Sequence, residues 1–333
     1  MPSKPLQPRL HRRQAIVRLA AGAAALSSLA VRAQADWPSR PIRLVVPYAP
    51  GGSSDTLGRM IAKHLQDTLR QNVVVENRAG AAGMIGSQQV ARAAPDGYTL
   101  VVSGIASHVL APVGNPSMFD PLKDFTHIAM LGGPPLGMVV NAQQPIADFK
   151  GFLAFAAASP QGVSWGSPGQ GSHGHLTGEL LREAMKLNMV HISYSGGAPA
   201  VNDLVANQIP LGVMTLSSAN AQVDAGKLRL LAVSSARRVA AYPNTPTFAE
   251  LGLPQLTGTT WFSLSGPPGM PAAVVARLNE TVRKGLQTPG LIRQLATESM
   301  ETMDLDPAAF TQYVVDEIAR WGPAARMVSN RRG

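Results

Sequence analysis

The feature that most constrains this chain is a repeated grammar. A short β-branched run is followed by a turn rich in glycine and serine, and then by a helical pattern. Ile42-Arg43-Leu44-Val45-Val46 stops at Pro47-Tyr48-Ala49-Pro50-Gly51-Gly52-Ser53-Ser54-Asp55, after which Leu57, Met60, Ile61 and Leu65 fall on one helix face. Val73-Val74-Val75-Glu76 leads to Arg78-Ala79-Gly80-Ala81-Ala82-Gly83 and a helix through Val90. Tyr98 to Ser103 leads to Gly104-Ile105-Ala106-Ser107. Val163-Ser164-Trp165 leads to Gly166-Ser167-Pro168-Gly169-Gln170-Gly171-Ser172 and a helix through Met185. Val190-His191-Ile192-Ser193 leads to Tyr194-Ser195-Gly196-Gly197-Ala198-Pro199, where Pro199 suits a first helical turn. Leu211 to Met214 leads to Leu216-Ser217-Ser218-Ala219-Asn220. Strand, turn and helix in repetition predict an α/β fold with a largely parallel sheet. The tail is different: helical patterns run from Pro271 to Leu286 and from Pro307 to Ala325, and Asp306 before Pro307 is a good helix start.

Charge first points to nucleic acid and then away from it. The chain has 333 residues, 29 Lys plus Arg against 20 Asp plus Glu, and a net charge of +9. Six of those bases (Lys4, Arg9, Arg12, Arg13, Arg18 and Arg32) fall in the first 35 residues, which contain no acid, so 23 bases face 20 acids in the remainder, a net of +3. The basic start precedes an apolar run, Leu19 to Val31, and then Ala33-Gln34-Ala35. That is the plan of a secretory signal peptide over residues 1–35. The apolar run is shorter than the roughly 20 residues a membrane span requires. Arg12-Arg13 raises the twin-arginine route, but the residues around the pair depart from that pattern, so general secretion serves as well. With no cysteine, the chain has no disulfide, thiolate metal site, thiol nucleophile or lipid attachment at the cleavage site. An aromatic content of 5% argues against base-stacking surfaces. The expectation is a soluble protein outside the cytoplasm, in the periplasm, with no nucleic-acid partner.

The loops carry the chemistry. Glycine lets backbone approach a ligand, and a helix start offers N–H groups with a partial positive charge, so junctions around Gly52, Gly171 and Gly197 suit an anion. Gly169-Gln170-Gly171-Ser172-His173-Gly174 matches a dinucleotide fingerprint, but the acid expected about 20 residues on is absent near Tyr194-Ser195-Gly196. The anion-binding half of that motif is kept. Gly162-Val163-Ser164-Trp165-Gly166 matches a nucleophile elbow, yet Ser164 sits in the strand rather than at the turn. His173 and His175, one residue apart on a helix start, do not share a face for metal. Asp55 reads as a cap for a helix beginning near Thr56. Glu179 and Glu183 share a face without an evident partner. No acid/base pair or triad assembles, so the residues describe a two-domain binder of a small anion, with no cofactor, and not an enzyme.

Several blocks resemble a known family, the Bug-type extracytoplasmic solute receptors, which are the binding components of tripartite tricarboxylate transporters. They are Pro47 to Asp55, Glu76 to Gly86, Pro95-Asp96-Gly97-Tyr98-Thr99-Leu100, Asp120 to Phe125, Gly169 to Leu181, Gly196 to Ala200, Trp261-Phe262 and Arg277-Leu278-Asn279. Their order and spacing extend over nearly all of residues 37–325. The resemblance implies a periplasmic-binding-protein (Venus-flytrap) fold: two α/β domains, 36–138 plus 260–333 and 139–259, joined by two crossing strands. It implies a carboxylate ligand in the cleft, gripped by Tyr48, Gly51, Gly52, Ser53, Ser54 and Asp55 from one domain, with Ser107 nearby. From the other domain come Ser167, Gly169, Gly171, Ser172, His173 and His175, and Tyr194, Ser195, Gly196 and Gly197 close one side. Arg78 is the nearest cation. Where the family reads Gln-Val-Asp, this chain has Gln208-Ile209-Pro210-Leu211, so Leu211 stands for the acid; the lost negative charge favours a plain carboxylate or aromatic acid over an amino acid. A monomer that closes on its ligand and is recognised by membrane transporter subunits is the implied mechanism. A sensor feeding a signalling partner, or an exported hydrolase of esters, would use the same cleft.

Overall fold

The structure, a computed structural model, describes residues 37–114 and 118–330. The expected export segment, 1–35, lies outside the described residues. From Arg40 onward the described residues form one unit. Its strands are β1 (Ile42–Val46), β2 (Val73–Asn77), β3 (Thr99–Gly104), β4 (Thr126–Gly132), β5 (Leu136–Asn141), β6 (Val163–Ser167), β7 (Met189–Ser193), β8 (Leu211–Thr215), β9 (Leu228–Val233) and β10 (Phe262–Gly266). They divide into two five-stranded sheets ordered β2-β1-β3-β10-β4 and β7-β6-β8-β5-β9. The two orders are the same plan used twice.

Most neighbours run parallel, as the alternating grammar requires: β1 with β2 and β3, and β6 with β7 and β8. One strand in each sheet departs from that. β10 is antiparallel to β3 and β4, and β5 is antiparallel to β8 and β9. The cause is where the chain enters. β5 and β10 are the first strands after the chain crosses from one sheet to the other, at 133–135 and 257–261. The crossing segments pair with each other: Thr260 N–H donates to the Pro134 carbonyl at 2.9 Å, and Pro135 bridges Thr259 antiparallel. The chain therefore enters each sheet at the crossing, where the parallel strands end, and must run the other way. This is the Venus-flytrap arrangement of two α/β lobes bridged twice.

The helices are α1 (Ser53–Leu69), α2 (Met84–Ala91), α3 (Phe149–Ala157), α4 (His173–Ala184), α5 (Gly197–Val205), α6 (Leu216–Asp224), α7 (Ala272–Leu286), α8 (Pro289–Thr297) and α9 (Pro307–Asn330). In α1 the apolar face is real: Leu57, Ile61 and Leu65 are fully buried. Trp165 of β6 is also fully buried and lies under α4, where a Cβ on Gly178 would overlap its ring. That bare backbone lets the helix lie on the sheet and carry its first turn to a fixed place. α9 runs past the expected end at Ala325 to Asn330, with Pro323 inside it. Val328 explains the extension, since it packs with Val109, Leu110 and Trp321. Among the described residues no helix is long and apolar enough to cross a membrane.

Candidate functional site

Four helices begin at one cavity between the two sheets. α1 starts after Gly52, α4 after Ser172, α5 after Gly196 and α6 after Thr215. Gly52, Ser53, Ser54, Ser172, His173, Gly174, Gly196, Gly197, Thr215 and Ser218 all line that cavity. The first N–H groups of a helix lack intrahelical acceptors and carry the positive end of its dipole. The floor comes from the crossing region and its neighbours: Gly104, Ile105, Ala106, Leu136, Thr260 and Phe262. Tyr48, Ala49 and Pro168 complete the wall.

Small residues let the opposed loops meet. A Cβ on Gly52 would sit 3.8 Å from the Gly197 nitrogen, and one on Gly196 would sit 3.5 Å from the Ala49 Cβ. At Gly197 a Cβ would overlap the Ser218 side chain, so this helix start has no room for one. Hydroxyls then join the lobes directly. Ser53 Oγ lies 2.5 Å from both Thr215 Oγ1 and Ser217 Oγ and 3.2 Å from Ser218 Oγ, and Thr215 Oγ1 is 2.8 Å from Ser218 Oγ. On the outside, Asn220 Nδ2 donates to the Thr297 carbonyl at 2.9 Å.

Among the described residues, no side chain with a formal charge lines the cavity. His173 does line it, but burial, with the nearby Arg320 charge adding, pushes its imidazole down to about 3, so it is neutral at pH 7. Its Nδ1 is 2.9 Å from Thr260 Oγ1 on the crossing segment, and its ring meets Trp321 of α9 edge-on. His173 thus ties α4 to the crossing segment. Asp55 is within the first turn of α1, not before it, because Gly52 holds the N-cap position. Asp55 does not line the cavity; it accepts from Gly51 N–H at 3.0 Å, Asn77 Nδ2 at 2.9 Å and Arg59 Nε at 3.0 Å. Burial pushes its carboxyl up, yet those donors hold it below the usual range. Gly51 and Asp55 therefore shape the first loop from behind. Arg78 pairs with Glu76 at 2.5 Å and is more than half exposed, away from the cavity lining.

The remaining expected residues divide in the same way. Gly169, Tyr194 and Ser195 line an adjoining chamber, which shares Tyr48 and Pro168 with the main cavity. Tyr194 hydroxyl donates to Asp203 Oδ2 at 2.7 Å, and burial with that carboxylate pushes the phenol up to about 12. Gly171 lines a further chamber and donates its N–H to His175 Nδ1 at 3.0 Å. Ser167 Oγ accepts from Gly169 N–H at 3.3 Å and lies 2.7 Å from His191 Nε2. His175 stacks on His191 with ring centroids 4.0 Å apart. Ser167 and His175 thus set the loop that Ser172 and His173 expose. Ser107 is buried beside Gly104 N–H and His108, outside the lining. Leu211 is fully buried in the core of the second sheet, so its difference from the family pattern carries no information about the ligand. Among the described residues no group of three or more His, Cys, Asp or Glu could hold a metal.

Sequence reasoning passed over Thr215 and Ser218, although Leu211 to Ser218 has the same strand-to-helix grammar as the glycine loops. The missing glycine hid it. Leu136 and Thr260 had no local signal, and Phe262 stood in a family block without a site role, because only the double crossing brings them to the cleft.

The family model described as "Tripartite tricarboxylate transporter family receptor" matches residues 57–329. Protein BugT of Bordetella pertussis is 34% identical over 307 residues, which is 91% of this chain and 94% of that protein. A solved R. palustris protein with adipate is 31% identical at a TM-score of 0.84, covering 88% of this chain and 98% of its own. MatC from Rhodopseudomonas palustris with bound malate is 30% identical at a TM-score of 0.82, covering 87% of this chain and 100% of its own.

Proposed function

Because this chain belongs to the tripartite tricarboxylate transporter receptor family, we propose that it captures a small carboxylate in the cavity between its lobes and delivers it to a membrane transporter of that kind. The observation that carries this reading is the convergence of four helix N-termini on one cavity that, among the described residues, no charged side chain lines. A carboxylate there is stabilised by N–H dipoles and serine hydroxyls, without a formal cation. The relatives solved with adipate and malate support a carboxylate. The protein acts in the periplasm as a monomer, having left the cytoplasm by way of residues 1–35.

Binding shifts an equilibrium between open and closed lobes, about 36–138 with 260–333 and 139–259, because only the closed form sets donors from both lobes around one carboxylate. The closed face is what the transporter recognises. The ligand is released unchanged: of the titratable side chains described at the cavity, His173 is held neutral and tied to Thr260, and Tyr48 is held protonated by burial with its hydroxyl donating to the Ala82 carbonyl, which leaves no positioned base. A thermal-shift screen against mono-, di- and tricarboxylates tests the reading. At a hundredfold excess over Kd, a ligand of the native state adds about 2.7 kcal/mol, a rise of roughly 5 °C for a chain of this size. No rise with any carboxylate counts against it.

A further inference from the structure

Resting on the carboxylate reading, we infer that the ligand is a compact monocarboxylate with an uncharged, apolar body, in preference to a dicarboxylate or an amino acid. The cavity has two chemical sides. Helix starts and hydroxyls, at Ser53, Ser172, Gly197 and Ser218 above all, supply donors for one anionic group. The floor, at Ile105, Leu136 and Phe262, is apolar, and these three side chains are almost wholly buried.

With the helix starts engaged by one carboxylate, a second charge on the ligand falls on the apolar floor, where no side chain of opposite charge meets it. Among the described residues, the side chains lining the main cavity and the adjoining chamber include no Lys, Arg, Asp or Glu. The nearest acids are engaged elsewhere, Asp55 by Gly51, Asn77 and Arg59, and Asp203 by the Tyr194 hydroxyl. An ammonium group would lack an acceptor carboxylate, and a second carboxylate would be desolvated against leucine and phenylalanine.

Size argues for a compact ligand. The cavity volume is about 60 Å³, room for roughly four to six waters. A longer diacid would have to pass Tyr48 and Pro168, the residues shared with the adjoining chamber. Tyr48 is held in place, since its hydroxyl donates to the Ala82 carbonyl at 2.9 Å.

Isothermal titration calorimetry of the purified protein tests this with benzoate, pentanoate, malate, adipate, alanine and the neutral benzamide. The expected result is that benzoate or pentanoate binds at least tenfold more tightly than malate, adipate or alanine, and that benzamide is at least tenfold weaker than benzoate. A dicarboxylate or alanine binding as tightly as the monocarboxylates overturns the inference and leaves the carboxylate reading standing. If none of the acids binds, or benzamide matches benzoate, both fall. A Leu136→Gln variant that keeps its melting temperature should narrow the preference for benzoate over malate at least threefold; an unchanged ratio in that folded variant overturns the role of the floor. Should the variant not fold, the wild-type series decides alone.

Discussion

Gly133→Ala is expected to lower the melting temperature by roughly 10 °C, corresponding to about 3–5 kcal/mol. Gly133 lies between β4 and β5, where the chain crosses from one sheet to the other. A Cβ there would overlap the Thr260 carbonyl oxygen and lie 3.1 Å from the Trp261 Cα. Both belong to the other crossing segment, so no flexible side chain can yield. The backbone on the other side is fixed as well: Gly133 N–H donates to Glu301 O at 2.9 Å, and Glu301 N–H donates back at 3.2 Å. Gly132 has a left-handed φ of 94° and would press a Cβ into the same Glu301 carbonyl. Relief requires the crossing segments to part, which moves Leu136, Thr260 and Phe262, the cavity floor. The variant should therefore lose ligand affinity along with stability. Gly290→Ala is the control, because nothing lies within 4 Å of its Cβ position. Urea melts of the two variants beside wild type decide the matter; a Gly133→Ala midpoint within error of Gly290→Ala would refute the tight crossing.

Acid should destabilise the protein well above the range where carboxylates titrate. Three of the buried histidines are held neutral by their surroundings. His127 is pushed down to about 4 by burial, and His173 to about 3 by burial with Arg320 adding. His108 is held well below 6.5 by burial, with His127 adding. His108 lies between Phe125 and His127, and His127 faces Phe310, so neither imidazolium would find a carboxylate among the rings around it. The sign follows from proton uptake. Between pH 6.5 and the folded-state values, the unfolded chain binds protons that the native chain refuses, so stability falls as pH falls. The contribution is complete above pH 6.5 and lost as pH drops towards 4 and 3. At pH 5, His127 and His173 each cost about 2 kcal/mol. Glu317, raised by burial, opposes the trend because its native state takes up a proton more readily. Unfolding free energies from urea titrations at pH 7.5, 6 and 5 should decline by several kcal/mol, and His127→Gln should flatten the slope. A flat profile from 7.5 to 5 would contradict the buried neutral imidazoles.

Much of the fold was legible because turn chemistry is local. The runs ending at Gly51, Gly80, Gly169 and Gly196 are strands followed by helices, and their glycines mark where backbone approaches the cleft. Direction was not legible. β5 is apolar like its neighbours, and β10 alternates serine with Phe262 and Leu264; neither make-up encodes direction, and both strands are antiparallel only because the chain enters each sheet from the crossing. Within the site, residues that expose donors and residues that shape loops look alike in sequence. Ser53 and Ser172 line the cavity, while Asp55, Ser107, Ser167 and His175, from the same kinds of loop, hold backbone from behind. Thr215 and Ser218 line the cavity without a glycine to announce them. Leu211 was given meaning by comparison of patterns, but its position at the start of β8 puts it in the core.

The most direct test of dipole capture is a crystal structure of the protein grown with a carboxylate that raises its melting temperature. The carboxylate oxygens are expected within hydrogen-bonding distance of N–H groups at the starts of α1, α4, α5 or α6 and of Ser53 or Ser218, with no Lys or Arg nitrogen in contact. A carboxylate paired with an arginine or lysine, or seated outside the cavity between the lobes, would contradict it.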